Sequence, residues 1–125
     1  MPASKKQALL LLEDYNTLRN TLGRCCSKAG FSVVSTGSVY SAITHAKQQR
    51  PEVIIFDYKL KMKDDPLVAL AILHDLLPES KLIALNFDEH SLSNHLKSIG
   101  VAEIIGSQNI QSELERILSS DAPKS

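Results

Sequence analysis

The segment PEVIIFD, residues 51–57, decides the fold class of this chain. Within it, Val53–Phe56 is an unbroken apolar run that ends at the carboxyl group of Asp57. A short apolar run without polar alternation is typical of a strand buried on both faces, as in a parallel sheet covered by helices. The segment therefore predicts a buried strand with an acidic side chain at its carboxyl end.

Four further apolar runs predict the other strands of the sheet. Between the runs, apolar residues recur at helical spacing, and typical helix boundaries flank them: Gly30 ends the first helix, and Asp65-Pro66 begins the third. Regular alternation of strands and helices predicts an α/β fold, an open doubly wound parallel sheet with helices on both faces. The four runs are Ala8–Leu12, Phe31–Ser35, Leu82–Leu85 and Val101–Ile105.

Length and composition predict one domain with no strong charge bias. The chain has 125 residues, and its 14 Lys and Arg balance its 14 Asp and Glu. We expect a single domain over residues 1–125, with a core over about 8–118 and a polar tail or linker over 119–125. This charge balance argues against a dedicated nucleic-acid binder. No apolar run is long enough for a signal peptide or membrane span, so we expect a cytoplasmic protein that does not act in a membrane.

The two cysteines, Cys25 and Cys26, are adjacent in the first predicted helix. Neighbouring residues rarely suit disulfide geometry, and no Cys/His spacing in the chain indicates a zinc site. We therefore expect both thiols to be small, buried or half-buried helix side chains in a reducing compartment.

Polar side chains at the ends of the predicted strands mark the expected functional site. In open parallel sheets, ligands bind beyond the carboxyl ends of the strands, near the point where strand order reverses. Three carboxylates close together would repel one another without a cation, and Mg²⁺ takes one or two carboxylates together with phosphoryl oxygens. An aspartate beside such a metal can attack phosphorus and become an aspartyl phosphate. The strand-end residues are Glu13 and Asp14, Asp57, Asn86 and Phe87, and Ser107.

Two segments resemble the receiver domains of response regulators in two-component signalling. LEDYNTLR, residues 12–19, resembles the family's first-strand signature, in which an acidic pair opens the first helix. PEVIIFD resembles the strand that carries the family's phospho-acceptor. The resemblance runs from about Ala8 to about Leu118, and it implies a flavodoxin-like (βα)5 fold with strand order 2-1-3-4-5.

The same resemblance implies a set of roles at the strand ends. Asp57 would accept a phosphoryl group from a histidine kinase or phosphotransfer protein. Mg²⁺ would be held by Glu13, Asp14, Asp57 and the backbone carbonyl of Lys59. Such a domain is regulatory and not an enzyme, apart from self-phosphorylation and autodephosphorylation. A homodimer or effector contact would use the face formed by helix four, strand five and helix five, about Leu92–Leu118.

Several positions depart from the family pattern. Asn86 stands where a Thr or Ser usually contacts the phosphoryl group, and Phe87 replaces a small residue, so that its ring either crowds the site or points elsewhere. Ser107 replaces the lysine that pairs with the phosphoryl charge, and Ile104 replaces the aromatic residue that usually changes rotamer on activation. The metal ligands and the acceptor are retained, whereas the groups that sense and report phosphate are altered.

Two interpretations of this pattern stay open, and two others have less support. The chain is either an atypical receiver that is phosphorylated on Asp57, or a pseudo-receiver that acts as a protein–protein interaction module without phosphorylation. A hydrolase of the haloacid-dehalogenase type would carry Asp-x-Asp, but Asp57-Tyr58-Lys59 lacks the second carboxylate. A flavin site is also disfavoured, because the acidic pair after the first strand would repel phosphate.

Overall fold

The computed structural model describes residues 6–11, 17–58, 65–87 and 93–121. In these ranges five strands and five helices alternate, and the strands form one parallel sheet in the order β2-β1-β3-β4-β5. The predicted fold class and strand order are therefore confirmed. The elements are β1 (Lys6–Leu11), α1 (Thr17–Lys28), β2 (Phe31–Thr36), α2 (Val39–Gln49), β3 (Val53–Asp57), α3 (Pro66–Leu76), β4 (Lys81–Leu85), α4 (Ser93–Ser98), β5 (Val101–Ile104) and α5 (Ile110–Asp121).

Several element boundaries differ from the sequence-based prediction, and three of the differences are one-residue extensions: β2 to Thr36, β3 to Asp57 and β4 back to Lys81. Strand β1 begins earlier, at Lys6, because this polar residue already pairs with Phe31 of β2. Strand β5 ends one residue early, although the N–H of Ile105 still donates to the Ala84 carbonyl at 2.8 Å. Helix α5 continues to Asp121, into the segment predicted as a polar tail. Apolar periodicity stops at the last core contact, whereas backbone hydrogen bonding carries the helix further.

Strand β3 lies at the centre of the sheet, and all five of its residues are buried. Ile54 and Phe56 pack into a core cluster with side chains from α2, α3 and α4. Val53 and Ile55 pack into a second cluster with side chains from α1 and α5. Because helices cover both faces of the strand, its sequence shows no polar alternation, as its apolar run predicted.

The two cysteines are buried in the second core cluster, as expected. Burial raises the pKa of the Cys26 thiol to about 12. Burial also raises the pKa of Cys25, and the carboxylate of Glu115, which accepts from its Sγ at 3.8 Å, raises it further. Both thiols are therefore neutral core side chains at physiological pH.

None of the described helices is long and apolar enough to cross a membrane.

Gly100, in the turn between α4 and β5, fixes a close contact between that turn and α3. Its φ is +107°, a region that L side chains rarely adopt. A Cβ at this position would lie 2.3 Å from Cγ of His74, so the imidazole ring occupies the space that a side chain would need. The turn therefore requires glycine for two independent reasons.

Gly100→Ala is expected to lower the free energy of unfolding by at least about 1–3 kcal/mol, the cost of a strained backbone conformation. Displacement of the His74 ring adds to that loss. The matched control is Gly23→Ala in helix α1, where no atom lies within 4 Å of the added Cβ. This control should gain up to about 1 kcal/mol from helix propensity. Urea denaturation of the two variants measures both values, and equal stability of Gly100→Ala and wild type would contradict the contact.

Candidate functional site

Asp57 is the centre of the candidate site. It is the last residue of β3, pairs with Leu85 of β4, and is only 3% exposed. Among the side chains whose burial the structure describes, it is the one charged or polar side chain that is buried. A buried carboxylate is costly unless hydrogen bonds or opposite charges compensate the loss of water. The surroundings of Asp57 must therefore supply polar partners.

Asn86 supplies one of these partners from the end of β4. Its Nδ2 donates to Oδ1 of Asp57 at 3.0 Å. The backbone of Asn86 is left-handed, with φ +58°, a conformation that asparagine tolerates better than most residues. Asparagine therefore suits this position for two reasons: its side-chain amide donates to Asp57, and its backbone tolerates the left-handed conformation.

An aromatic pair flanks this hydrogen bond. Tyr58 follows Asp57, Phe87 follows Asn86, and the two rings meet edge to face with centroids 4.7 Å apart and an interplanar angle of 80°. Phe87 is 2% exposed and belongs to the core cluster that also contains Leu96 of α4. Of the two orientations considered for Phe87, the structure therefore shows the one in which the ring points into the core.

Backbone hydrogen bonds tie the ends of three strands together around Asp57. The N–H of Tyr58 donates to the Leu85 carbonyl at 3.0 Å, and the N–H of Phe87 donates to the Ile105 carbonyl at 3.2 Å. Ile104, predicted from the sequence to occupy the switch position, is partly buried and packs against the cluster that contains Phe87. Ser107, two residues beyond Ile105, is exposed.

The structure brings together only some of the predicted site residues. Asp57, Asn86 and Phe87 meet at the ends of β3 and β4, whereas Glu13, Asp14 and Lys59 lie outside the described residues. In the parts of the chain that are described, no group of three or more Asp, Glu, His or Cys side chains could hold a metal ion.

The contribution of Tyr58 to the site was not predicted from the sequence. Tyr58 is the first residue after β3, whose last residue Asp57 pairs with Leu85, and Phe87 is the second residue after β4. Two aromatic residues that directly follow neighbouring strands, one position apart in register, are within reach of each other. The contact between Tyr58 and Phe87 could have been predicted from these two positions in the sequence.

No protein-family model matches the chain, and no curated protein matches its sequence. Solved structures do match its fold, and response regulators and receiver domains are among them. A receiver domain protein from Methanospirillum hungatei aligns with a TM-score of 0.81 at 18% identity, over 95% of this chain and 94% of its own. The receiver domain of a sensor histidine kinase from Pseudomonas aeruginosa aligns with a TM-score of 0.73 at 21% identity, over 92% and 96%.

A response regulator from Burkholderia pseudomallei aligns with a TM-score of 0.76 at 20% identity, over 94% of this chain and 69% of its own. Its structure contains a phosphorylated aspartic acid and a calcium ion, and the Pseudomonas aeruginosa structure has a magnesium ion in the active-site cleft. At these identities the comparisons establish a shared fold. The chain thus has the flavodoxin-like fold of receiver domains.

Asn86→Asp tests the hydrogen bond at the centre of the site. The substitution retains a residue that tolerates the left-handed backbone, but it replaces the amide donor with a second carboxyl group beside Asp57. A hydrogen bond to a charged group contributes about 1.5–3 kcal/mol, and repulsion adds to its loss, so we expect a loss of at least about 2 kcal/mol at pH 7 in EDTA.

Asn109→Asp is the matched control for this measurement. Asn109 has φ +60° and is exposed just before α5, so its replacement by Asp should change the free energy of unfolding by less than about 0.5 kcal/mol. Urea denaturation compares the two variants. Equal stabilities would show that the Asn86–Asp57 contact contributes nothing in solution.

Proposed function

We propose that the chain is an atypical receiver domain of a two-component system, in which Asp57 accepts a phosphoryl group from a histidine kinase or phosphotransfer protein. The observation that carries the proposal is the burial of this carboxylate at the carboxyl end of the central strand, where Asn86 donates to it. In open α/β sheets this edge is where ligands bind. The domain would act as a regulatory acceptor and not as an enzyme on a separate substrate.

Carboxylate and backbone carbonyl oxygens, the ligands proposed for this site, are the kind that Mg²⁺ prefers. Leu11, the last described residue of β1, pairs with Phe56, and Glu13 and Asp14 follow it after one intervening residue. Asp57, Glu13, Asp14 and the Lys59 carbonyl would then hold the metal ion. When bound, Mg²⁺ offsets carboxylate repulsion and stabilises charge on a phosphoryl group. The metal ions in the two similar structures support this assignment.

Phosphoryl transfer at Asp57 requires one bond exchange. A carboxylate oxygen of Asp57 attacks the phosphorus of a phosphohistidine, the P–N bond breaks as the O–P bond forms, and the imidazole leaves with the bonding electrons and takes up a proton. Asn86, whose amide already reaches Oδ1, would then donate to a phosphoryl oxygen. Ser107 carries no positive charge, so this position cannot supply the ion pair with the phosphoryl group that a lysine there would form.

Intact-mass spectrometry with Mg²⁺ and acetyl phosphate tests this proposal. Wild-type protein should gain one phosphoryl group, because the buried carboxylate is the nucleophile. Hydroxylamine should remove the adduct, since it cleaves acyl phosphates and leaves serine phosphates intact. Asp57→Asn, which has the same shape but lacks the nucleophilic carboxylate, should gain nothing.

An adduct that persists in Asp57→Asn would contradict the assignment of the acceptor. The absence of any adduct, in folded protein beside a receiver that does react, would also count against it. The phosphohistidine form of a kinase or phosphotransfer protein is the confirming donor in the same assay.

A pseudo-receiver is the second candidate, and one observation favours it. The amide of Asn86 already donates to the carboxylate of Asp57. In the unmodified protein this donor is therefore engaged, and a phosphoryl group would have to displace the existing hydrogen bond to use it. In this case the domain would bind protein partners through a fixed surface, such as the α4-β5-α5 face, about 92–118. Folded protein that takes no phosphoryl group from either donor, yet still binds its partner, would support this function.

A further inference from the structure

Exposed apolar side chains concentrate on one face of the domain. Among the described residues, four large apolar side chains are exposed, and three of them lie together. Tyr40 on α2 is 82% exposed, and Val68 and Ile72 on α3 are 51% and 41% exposed. These three line a groove between α2 and α3 that Val39, Ile43 and Ala69 complete. We call these six residues the α2–α3 groove.

Helix α3 is apolar on its outer side as well as on its inner side. Leu70 and Leu73 are fully buried against the sheet, whereas Val68 and Ile72 face the groove. A helix at a protein surface normally carries polar residues on its outer face, and a helix that is apolar all round is typical of one covered on both sides. Single exposed apolar residues are common, but a contiguous cluster marks an interaction surface.

Charges at one end of the groove differ in sign between the two helices. Lys47 is seven residues after Tyr40 on α2, and Asp75 is seven residues after Val68 on α3, so each lies on the stripe that lines the groove. Both are exposed, and neither forms an ion pair with a described side chain. Helix α2 contains no Asp or Glu, and α3 contains no Lys or Arg.

The two helices run in the same direction, because each one connects parallel strands of one sheet. A twofold axis along the groove would therefore place α2 of one copy over α3 of the other at the same height. Tyr40 would then meet Val68 of the second copy, and Lys47 would meet its Asp75. The charges at the end of the groove are thus complementary to those of a second copy, as an isologous interface requires.

We propose that the α2–α3 groove is the interface of a reversible homodimer of this chain. Helices of 11 residues are about 16 Å long, and two of them offer roughly 300 Å² per copy, which is below the size of stable interfaces. The dimer is accordingly weak, with a Kd on the order of 10–500 µM. Its interface is distinct from the α4-β5-α5 face and does not depend on phosphorylation of Asp57.

Sedimentation velocity between about 10 µM and 1 mM tests the dimer with unmodified protein and with surface variants. Wild type should convert from monomer to dimer over this range. Ile72→Lys should raise the Kd by about tenfold or more, since it places a charge in the groove. The matched control is Val34→Lys, at the fourth exposed apolar residue, on β2 outside the groove; its Kd should equal that of wild type.

A charge swap tests the arrangement of the two copies. Lys47→Glu alone and Asp75→Lys alone should each weaken the dimer, because like charges then meet across the axis. The double variant Lys47→Glu with Asp75→Lys should restore wild-type affinity. All of these positions are exposed, and circular dichroism confirms that each variant is folded.

Three results would overturn the proposal. One is a wild-type protein that stays monomeric at 1 mM, which would leave the groove to a different protein. Another is a dimer that Ile72→Lys does not weaken but that Ala102→Arg, on exposed β5, abolishes. The last is a charge swap in which the double variant is as weak as the single ones.

Discussion

The burial of one carboxylate, that of Asp57, is the constraint to which the rest of this site responds. Because helices cover both faces of the central strand, water is excluded from the end of the strand as well. An acidic residue at that end therefore needs polar partners from neighbouring strands. The amide of Asn86 meets that need at 3.0 Å, and it does so from a left-handed backbone that few residues adopt without strain. That backbone conformation in turn directs the following residue, Phe87, into the core, where its ring meets Tyr58.

The fold could be predicted from the sequence because each of its determinants is local. The apolar run before Asp57, the helix stop at Gly30 and the Asp65-Pro66 helix start each identify an element without knowledge of its neighbours. In the structure Asp65 does cap α3, with its carboxylate accepting from the N–H of Leu67 at 2.9 Å. The position of Asp57 at a strand end follows from the same local signals.

The features that could not be predicted depend on contacts between distant parts of the chain. Sequence gives no reason to expect the left-handed φ of Asn86 or the contact of Gly100 with the ring of His74. The outward direction of Val68 and Ile72 was also not predicted, because residues 66–73 of α3 are all apolar and contain no polar residue to mark its outer face. The extension of α5 to Asp121 was not predicted because the residues that follow Leu118 in the helix, Ser119, Ser120 and Asp121, are all polar and continue no apolar pattern.

The altered residues at this site share one physical property, since Asn86 and Ser107 are both uncharged. A phosphoryl group on Asp57 would therefore meet neutral donors at these two positions, together with a metal ion. Phe87 lies in one core cluster and Ile104 packs against it, so these two residues would transmit the modification of Asp57 to the surface of the domain. The α2–α3 groove is lined by residues of α2 and α3 alone and includes neither Phe87 nor Ile104. One domain would thus present two surfaces, and only one of them would respond to modification of Asp57.

The most direct test of the central claim is an NMR titration of ¹⁵N-labelled protein with Mg²⁺ and beryllofluoride, which mimics a phosphoryl group on an aspartate. The account predicts that the side-chain amide resonances of Asn86 and the backbone amides of Tyr58 and Phe87 shift in wild type and stay fixed in Asp57→Asn. Unshifted resonances in the folded wild-type protein, or equal shifts in the variant, would contradict the claim that Asp57 and Asn86 form the phosphoryl site.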